Sequence, residues 1–320
     1  MTAPALRIVF FGTPAFAVPT LDALLVSRHP VVGVVTRPDR PRGRGHRTSD
    51  APVKAIASRA RVPVLQPERM KDPGFLAALA GLAADLYVVA AYGKILSEAI
   101  LATPRLGVLN VHASLLPQYR GAAPIHRAVI DGRRETGITI MRMVLALDAG
   151  PMIATAPRAI SPEETSADVE RDLAAMGAPL LVSCVDALAE RPLPETSQDE
   201  QAATYAPRLT KEEGIVDWTK PSATLHNLIR GLHPWPHAFT HHRGKRLILL
   251  RSTVEQGPRP DPFPPPGTVC AASGDMLDVS TGDGLLAITE LQAEGRRPMA
   301  AREFLAGHAV SPGDRLTPHP

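Results

Sequence analysis

Residues Leu106–Ile125 read LGVLNVHASLLPQYRGAAPI. Gly107 to His112 is short, alternating and largely apolar, the pattern of a buried strand. Asn110 and His112 are two residues apart, so a strand turns both to one face. Pro117 cannot continue a central strand and biases Leu116 away from helix, so Ser114-Leu115-Leu116-Pro117 reads as a loop. Gly121 to Pro124 reads as a second turn, with Pro124 in the first turn of a helix over Ile125 to Ile130. An amide and an imidazole thus stand at the C-terminal end of a strand, under a proline-bent loop. Ligands of open α/β sheets bind at such ends.

The same strand-then-helix pattern extends in both directions. Leu6 to Phe11 is an apolar strand closed by Gly12-Thr13-Pro14, and Phe16 to Val26 reads as a helix. The turn between them lacks the G-x-G-x-x-G spacing, so it reads as a tight βα turn rather than a dinucleotide site. Val31 to Thr36 is a strand, Pro52 to Ala60 a helix with Ser49 or Asp50 near its N-cap, Val62 to Leu65 a short strand and Phe75 to Ala84 a helix. Asp85 to Ala91 is an almost continuous apolar run, fitting a strand buried on both faces of a parallel sheet. Gly137 to Val144 and Met152 to Ile160 read as strands. Ser166 to Leu188 reads as a long helix that Gly177 and Pro179 divide. This alternation predicts an α/β domain with a doubly wound, mostly parallel Rossmann-like sheet.

Arg191 to Pro207 is rich in Pro, Glu and Gln without apolar periodicity and reads as a linker. Beyond it Ile215 to Trp218 is strand-like and Thr224 to Gly231 reads as a short helix. Ala238 to His241, Arg246 to Leu250, Gly267 to Cys270, Met276 to Ser280 and Leu285 to Leu291 follow as short strands between turns. Regularly spaced short strands suggest a small β-barrel. The expected division is residues 1–190 as the first domain, 191–207 as linker and 208–320 as the second domain.

Composition narrows the function classes. At 320 residues, 44% hydrophobic and 21% charged, the chain is long enough for two ordinary cores. Aromatic content of 4% leaves the core to Ala, Val, Leu and Ile. Met1 to Arg7 runs into a strand rather than a charged segment, an apolar run and a cleavage site, so no signal peptide is expected. Apolar runs break before membrane-spanning length, so no membrane partner is expected. Cys184 and Cys270 are too few and too distant for a disulfide framework or metal site, which suggests a reduced, cytoplasmic setting. His241 and His242 read as surface residues, since no third ligand has metal-site spacing. A net charge of +3 with pI near 9.0 is a weak pointer to an anionic partner.

A neutral imidazole accepts a proton near pH 7, and an Asn amide offers N–H donors to an oxygen gaining negative charge. No Ser or Cys directly adjoins either residue in the chain, which suggests direct attack of a substrate amine on a carbonyl. Asp148, in Ala146-Leu147-Asp148-Ala149-Gly150, is the candidate to orient the imidazole. Taken alone, the Asn and His also fit ordinary polar residues at a strand end. A second feature is the run from Arg37 to Arg47, where Arg37, Arg40, Arg42, Arg44 and Arg47 face a single Asp39 among glycines and prolines. It reads as a surface loop, and its arginines suit phosphate contacts.

NVHASLLPQYRGAAPI followed by LDAG resembles the signature of the folate-dependent formyltransferases, and the likeness extends over nearly the whole chain. The resemblance implies a formyl transfer from 10-formyltetrahydrofolate to an amine, with no metal. It implies Asn110, His112 and Asp148 as the catalytic trio. It also implies a folate site at Ser114, Leu115, Leu116 and Pro117, bordered by Ala91, Tyr92 and Gly93. The chain also resembles the methionyl-tRNA formyltransferases through the Gly-Thr-Pro-x-Phe opening, the arginine loop, Val216-Asp217-Trp218, Asn227-Leu228-Ile229-Arg230 and Pro234-Trp235-Pro236, although sugar-nucleotide formyltransferases carry similar C-terminal phrases. The methionyl-tRNA members usually read Gly-Leu-Asp-Thr-Gly where Ala146 and Ala149 replace the first Gly and the Thr. This likeness implies an OB-like second domain, initiator methionyl-tRNA as partner, a monomer, and RNA contacts at Arg42, Arg44, Lys245 and Arg246. Arg251, Arg296 and Arg297 are further candidates to meet RNA phosphate. A sugar-nucleotide N-formyltransferase with the same trio is the alternative, and a non-catalytic RNA-binding module is the alternative of another class.

Overall fold

A computed structural model of the chain describes residues 4–39, 41–42, 47–48, 50–255 and 262–320. The chain forms two compact units. One comprises Met1–Pro124, Glu135–Arg158 and Glu170–Ala206; the other comprises Ile125–Arg134, Ala159–Val169 and Pro207–Pro320.

In chain order the elements begin with β1 (Ile8–Gly12), α1 (Val18–Leu25), β2 (Val31–Val35) and the short pair β3 (Pro41–Arg42) and β4 (Arg47–Thr48). Next come α2 (Pro52–Arg59), β5 (Val64–Leu65), α3 (Pro73–Gly81), β6 (Leu86–Ala90), α4 (Glu98–Leu101) and β7 (Val108–His112). Then follow β8 (Arg120–Gly121), α5 (Pro124–Ile130), β9 (Glu135–Arg142), β10 (Met152–Ala159), α6 (Ser166–Glu190) and β11 (Tyr205–Ala206). Seven strands of the first unit make one sheet in the order β10-β9-β7-β6-β1-β2-β5. The pairs β1 with β2, β1 with β6, β2 with β5 and β6 with β7 are parallel, whereas β7 and β9 are antiparallel. The sheet is thus the expected mostly parallel, doubly wound one. Every residue of β1, β6 and β7 is buried, because helices cover both faces of such a sheet. The strand order reverses between β1 and β6. That is the switch point where α/β folds open a crevice. Local chemistry sets the helix starts. Asp72 caps α3 by accepting from the Phe75 N–H at 2.8 Å, with Pro73 in the first turn.

The helix α6 differs from expectation. It runs unbroken over 25 residues, through both Gly177 and Pro179. A Cβ on Gly177 would come within 2.9 Å of the Val111 side chain, so this glycine serves close packing of the helix on β7. Pro179 lies on the exposed face, where a carbonyl left without its helical donor can reach water. By length and composition alone α6 matches a membrane span. Its buried residues Ala174, Ala178, Leu181, Val185 and Leu188 recur three to four apart, the stripe of a helix laid on a core.

The second unit carries α7 (Ser222–Gly231), β12 (Ala238–His242), β13 (Lys245–Val254), β14 (Val269–Ser273), β15 (Met276–Ser280), β16 (Leu285–Ala293), β17 (Met299–Ala300), α8 (Ala301–Gly307) and β18 (Leu316–Thr317). Its sheet runs β14-β15-β16-β13-β12-β18, with β17 beside β16. Leu316 N–H donates to the Gly267 carbonyl at 2.7 Å and Val269 N–H to the Asp314 carbonyl at 2.8 Å, so the two ends of the sheet curl together. The result is the expected OB-like architecture, filled by Trp218, Leu247, Leu249, Leu277, Ile288 and Phe304. Two local expectations are corrected. Ile215 to Trp218 makes only a single bridge, Ile215 to Phe239, rather than a strand. His241 and His242 are buried rather than at the surface: His241 Nδ1 lies 3.1 Å from the Pro318 carbonyl, and His242 Nε2 lies 3.0 Å from Asp314 Oδ2. The C-terminal segment with β18 covers that edge of the sheet, and no apolar pattern announced it.

Candidate active site

The parallel strands β1, β6 and β7 end side by side. Register sets Asn110 opposite Val89 and Val111 opposite Ala90, so the end of β7 lies beside the end of β6. Asn110 and His112 are 8% and 5% exposed on the last turn of pleats before the loop. On the other side His112 pairs with Thr139 of β9. Thr139 Oγ1 donates to the Ser114 carbonyl at 2.7 Å and accepts from the Leu116 N–H at 3.1 Å. Ser114 Oγ donates to the Gln118 carbonyl at 2.6 Å. The Ser114–Pro117 loop is thereby stapled next to the imidazole, and the Leu116–Pro117 peptide bond is cis.

The turn after β9 brings in the third residue. Arg142 lies in register with Leu109, three residues before His112, so the turn must fold back to set Asp148 Oδ2 3.7 Å from His112 Nδ1. That is ion-pair range but too long for a hydrogen bond. The same carboxylate oxygen accepts from the Gly121 N–H at 2.8 Å. His112 Nε2 lies 3.1 Å from the Tyr119 carbonyl. A carbonyl only accepts, so this contact favours the tautomer with the proton on Nε2. The lone pair on Nδ1 is then the basic one, and a proton arriving there meets the Asp148 carboxylate. Asp148, Tyr119 and Ala91 all sit in the left-handed backbone region, with φ of 48°, 59° and 45°. Such strain, ~1–3 kcal/mol each, gathers where surrounding structure over-determines a site.

Ala91, Tyr92 and Gly93 follow β6 at the switch point. Thr13 Oγ1 reaches the Tyr92 carbonyl at 3.5 Å, and Tyr92 itself is buried edge-on against Phe11 at 5.5 Å. Burial pushes its phenol up to about 12, so the ring is a neutral core residue, its hydroxyl donating to Met70 Sδ at 3.1 Å.

Three contributors had no signal in the sequence. The Tyr119 carbonyl is a backbone group. Arg120 is 1% exposed; its Nε and Nη2 donate to Gln198 Oε1 at 3.0 and 2.8 Å, and its Nη1 and Nη2 to Glu200 at 2.9 and 2.7 Å. The hydrogen bond with Glu200 raises the pKa of Arg120, and the same bond lowers that of Glu200. Gln198 Nε2 in turn donates to the Asp148 and Gly150 carbonyls at 2.8 and 2.7 Å. Among the described residues no cluster of His, Cys, Asp or Glu has metal-site geometry.

Arg42 pairs through its backbone with Arg47, and Arg44 lies outside the described residues. Lys245 and Arg246 open β13 in the second unit. The Arg246 guanidinium lies 3.8 Å over the Phe239 ring, lining a surface cavity of about 310 Å³ with Lys211, Trp235 and Pro236. Arg251 is paired with Glu290 at 3.6 Å.

A parallel sheet with an amide, an imidazole and a carboxylate at its strand ends, followed by an OB-like unit, is the arrangement of the formyl transferases. Residues 6–185 match the Formyl transferase model and residues 208–309 the model of the Formyl transferase C-terminal domain. The chain is 44% identical over 313 residues to the methionyl-tRNA formyltransferase of Trichlorobacter lovleyi, covering 98% of each. It is 46% identical over 312 residues to that of Caldanaerobacter subterraneus subsp. tengcongensis, covering 97% of this chain and 100% of the relative. The chain therefore belongs to the methionyl-tRNA formyltransferase family. More distant solved structures share the fold. HypX from Aquifex aeolicus in complex with tetrahydrofolic acid has TM-score 0.65 at 17% identity, over 97% of this chain and 51% of its own. The N-formyltransferase from Helicobacter canadensis, solved with folinic acid and dTDP-3-aminofucose, has TM-score 0.65 at 15% identity, over 89% of this chain and 98% of its own.

Proposed function

We propose that this enzyme transfers the formyl group of 10-formyltetrahydrofolate to the free amino group of methionyl initiator tRNA, in the cytoplasm and as a monomer without a metal. The observation that carries the reading is the grouping of Asn110, His112 and Asp148 in a chain that matches methionyl-tRNA formyltransferases over almost its full length. The amine nitrogen attacks the formyl carbon, and the carbonyl electron pair moves to oxygen. The Asn110 amide donates to that oxyanion. His112 takes the amine proton at Nδ1, directly or through water, and Asp148 stabilises the imidazolium. Collapse re-forms the carbonyl and breaks the bond to the folate nitrogen. That nitrogen takes the proton back from His112 and leaves as the reduced folate. Ser114–Pro117 and the backbone of Ala91–Gly93 hold the folate. Arg42, Arg44, Lys245 and Arg246 meet the tRNA. The exposed Trp235 beside Arg246 supports this last assignment, since basic and aromatic groups together suit unpaired nucleotides. Residues 1–190 carry the chemistry and 208–320 bind tRNA.

The test is formyl transfer by the purified protein with formyl-folate and charged initiator tRNA, against a nucleotide-sugar amine as competing acceptor. Formylation of the tRNA supports the reading. Formylation of the sugar alone replaces it with sugar-nucleotide N-formyl transfer, and transfer to neither, by folded protein, leaves a binding module.

A further inference from the structure

We propose that Gln198, oriented by Arg120, is a positioning residue for formyl transfer: it fixes the turn that carries Asp148. This rests on the catalytic reading of Asp148 given above. An amide has one acceptor end and one donor end, and its neighbours decide which points where. Two guanidinium nitrogens of Arg120 converge on Gln198 Oε1 at 3.0 and 2.8 Å. Its NH₂ is thereby turned to the Asp148 and Gly150 carbonyls, both within 2.8 Å. These carbonyls flank Ala149, so one amide brackets the turn. Asp148 has φ of 48°, a conformation that an L side chain needs outside help to keep. Gly150 is confined as well, since a Cβ there would lie 1.8 Å from the Arg142 carbonyl oxygen.

The grip has a single origin. Arg120 and Gly121 form the two-residue strand β8. Gly121 N–H holds the Asp148 carboxylate, while Arg120 holds the amide that holds the Asp148 backbone. Segment 198–206 closes the loop. Thr204 Oγ1 accepts from the Tyr119 N–H at 2.8 Å, the Thr204 carbonyl accepts from the Arg120 N–H at 2.9 Å, and β11 pairs with β8. Tyr119 is the residue whose carbonyl meets His112. Imidazole and carboxylate are both referenced to the backbone of Tyr119–Gly121.

Gln198→Met keeps the length of the side chain and removes both donors; Gln198→Ala removes the side chain and leaves Arg120 paired with Glu200. Each should lower kcat by up to about 10²-fold, the scale of misplacing a reacting group by about 1 Å. KM for formyl-folate and for charged tRNA should move less than about 3-fold. The pH profile of kcat should shift in the same direction as that of Asp148→Asn. Combined with Asp148→Asn, Gln198→Ala should add almost nothing, because residues acting as a unit are not additive. A kcat within about 2-fold of wild type for folded Gln198→Met overturns the proposal, and so does full additivity in the double variant. If Asp148→Asn itself keeps full turnover, the catalytic reading of Asp148 fails first and this inference falls with it.

Discussion

Two buried histidines, one in each unit, look alike until their partners are compared. His226 in α7 has Nδ1 3.1 Å from Ser252 Oγ and Nε2 2.9 Å from the Pro162 carbonyl. Both nitrogens are met at hydrogen-bond distance by neutral groups, and a hydroxyl can donate or accept to suit. The ring is a bolt between elements of the second unit. His112 is met at that distance on one nitrogen only, and on the other it faces a carboxylate at 3.7 Å. Burial of a polar group does not mark chemistry; an incompletely engaged group beside a poised charge does.

The largest expected effect would break that comparison if it failed. His112→Ala and Asn110→Ala should fold and lose on the order of 10²-fold or more in kcat, the scale of a lost base or oxyanion donor. His226→Ala should do the reverse. It leaves Ser252 and Pro162 short of a partner, at a cost on the order of 1–3 kcal/mol, and should lower the thermal midpoint while kcat holds. Thermal melts and single-turnover rates on the three variants decide it. Near-normal turnover in folded Asn110→Ala would take the amide out of the mechanism.

A smaller effect sharpens the role of the carboxylate. Asp148→Asn should keep formyl-folate affinity and lower kcat by about 10²-fold or less, the scale of a mispositioned base. An amide N–H can turn toward His112 Nδ1 and occupy the lone pair that must accept the proton. Unchanged turnover with an unchanged pH profile would leave Asp148 as a tie to Gly121 and nothing more.

The strands were legible in the sequence for one physical reason, whereas the trio was read from the resemblance of its motif. Buried strands of a parallel sheet are apolar runs, so Leu86–Ala90 and Val108–His112 stand out, and a polar pair inside such a run stands out further. Gln198 sits in a Pro- and Glu-rich stretch without periodicity, and only folding brings it to Asp148. The Tyr119 carbonyl belongs to the backbone, which every residue has. Gly177 and Pro179 looked like a helix break because sequence carries no record of which face is solvated. The burial of His241 and His242 depends on β18, a contact made by residues more than 70 positions away.

Acid should distinguish the two units before the ion-paired carboxylates, whose pKa values are lowered, take up protons. His126, His233 and His237 all belong to the second unit, and burial is the first cause lowering each of their pKa values. A histidine held neutral in the fold costs nothing above its unfolded pKa of about 6.5. As pH falls through that value the unfolded chain binds protons that the folded one refuses, so stability drops until the folded pKa is reached. Each such group contributes at most about 1.4 kcal/mol per pH unit in that window. In the first unit the bond from Arg120 lowers Glu200, which favours the fold above the carboxylate range and is lost only below about pH 4.3. Hydrogen exchange at pH 7 and pH 5.5 should show the second unit loosening and the first holding. Equal loosening of both units would deny that these histidines distinguish them.

The smallest expected effect concerns Arg246, an exposed residue whose guanidinium lies over the Phe239 ring. Stacking and a phosphate contact separate by substitution. Arg246→Ala removes charge and stack; Arg246→Lys keeps the charge but not the plane. If the residue neutralises one phosphate of the tRNA, Ala should reduce the slope of log affinity against log salt by roughly 0.7 to 0.9, and Lys should restore it. Formyl-folate affinity and kcat at saturating tRNA should not move with either. If stacking on the protein is its whole role, both variants should lower the thermal midpoint of the second unit with the salt slope intact. Arg44→Ala in the same salt series supplies the internal comparison. A slope that falls for Arg44→Ala and not for Arg246→Ala would assign the phosphate contact to the arginine loop and leave Arg246 to the cavity it lines.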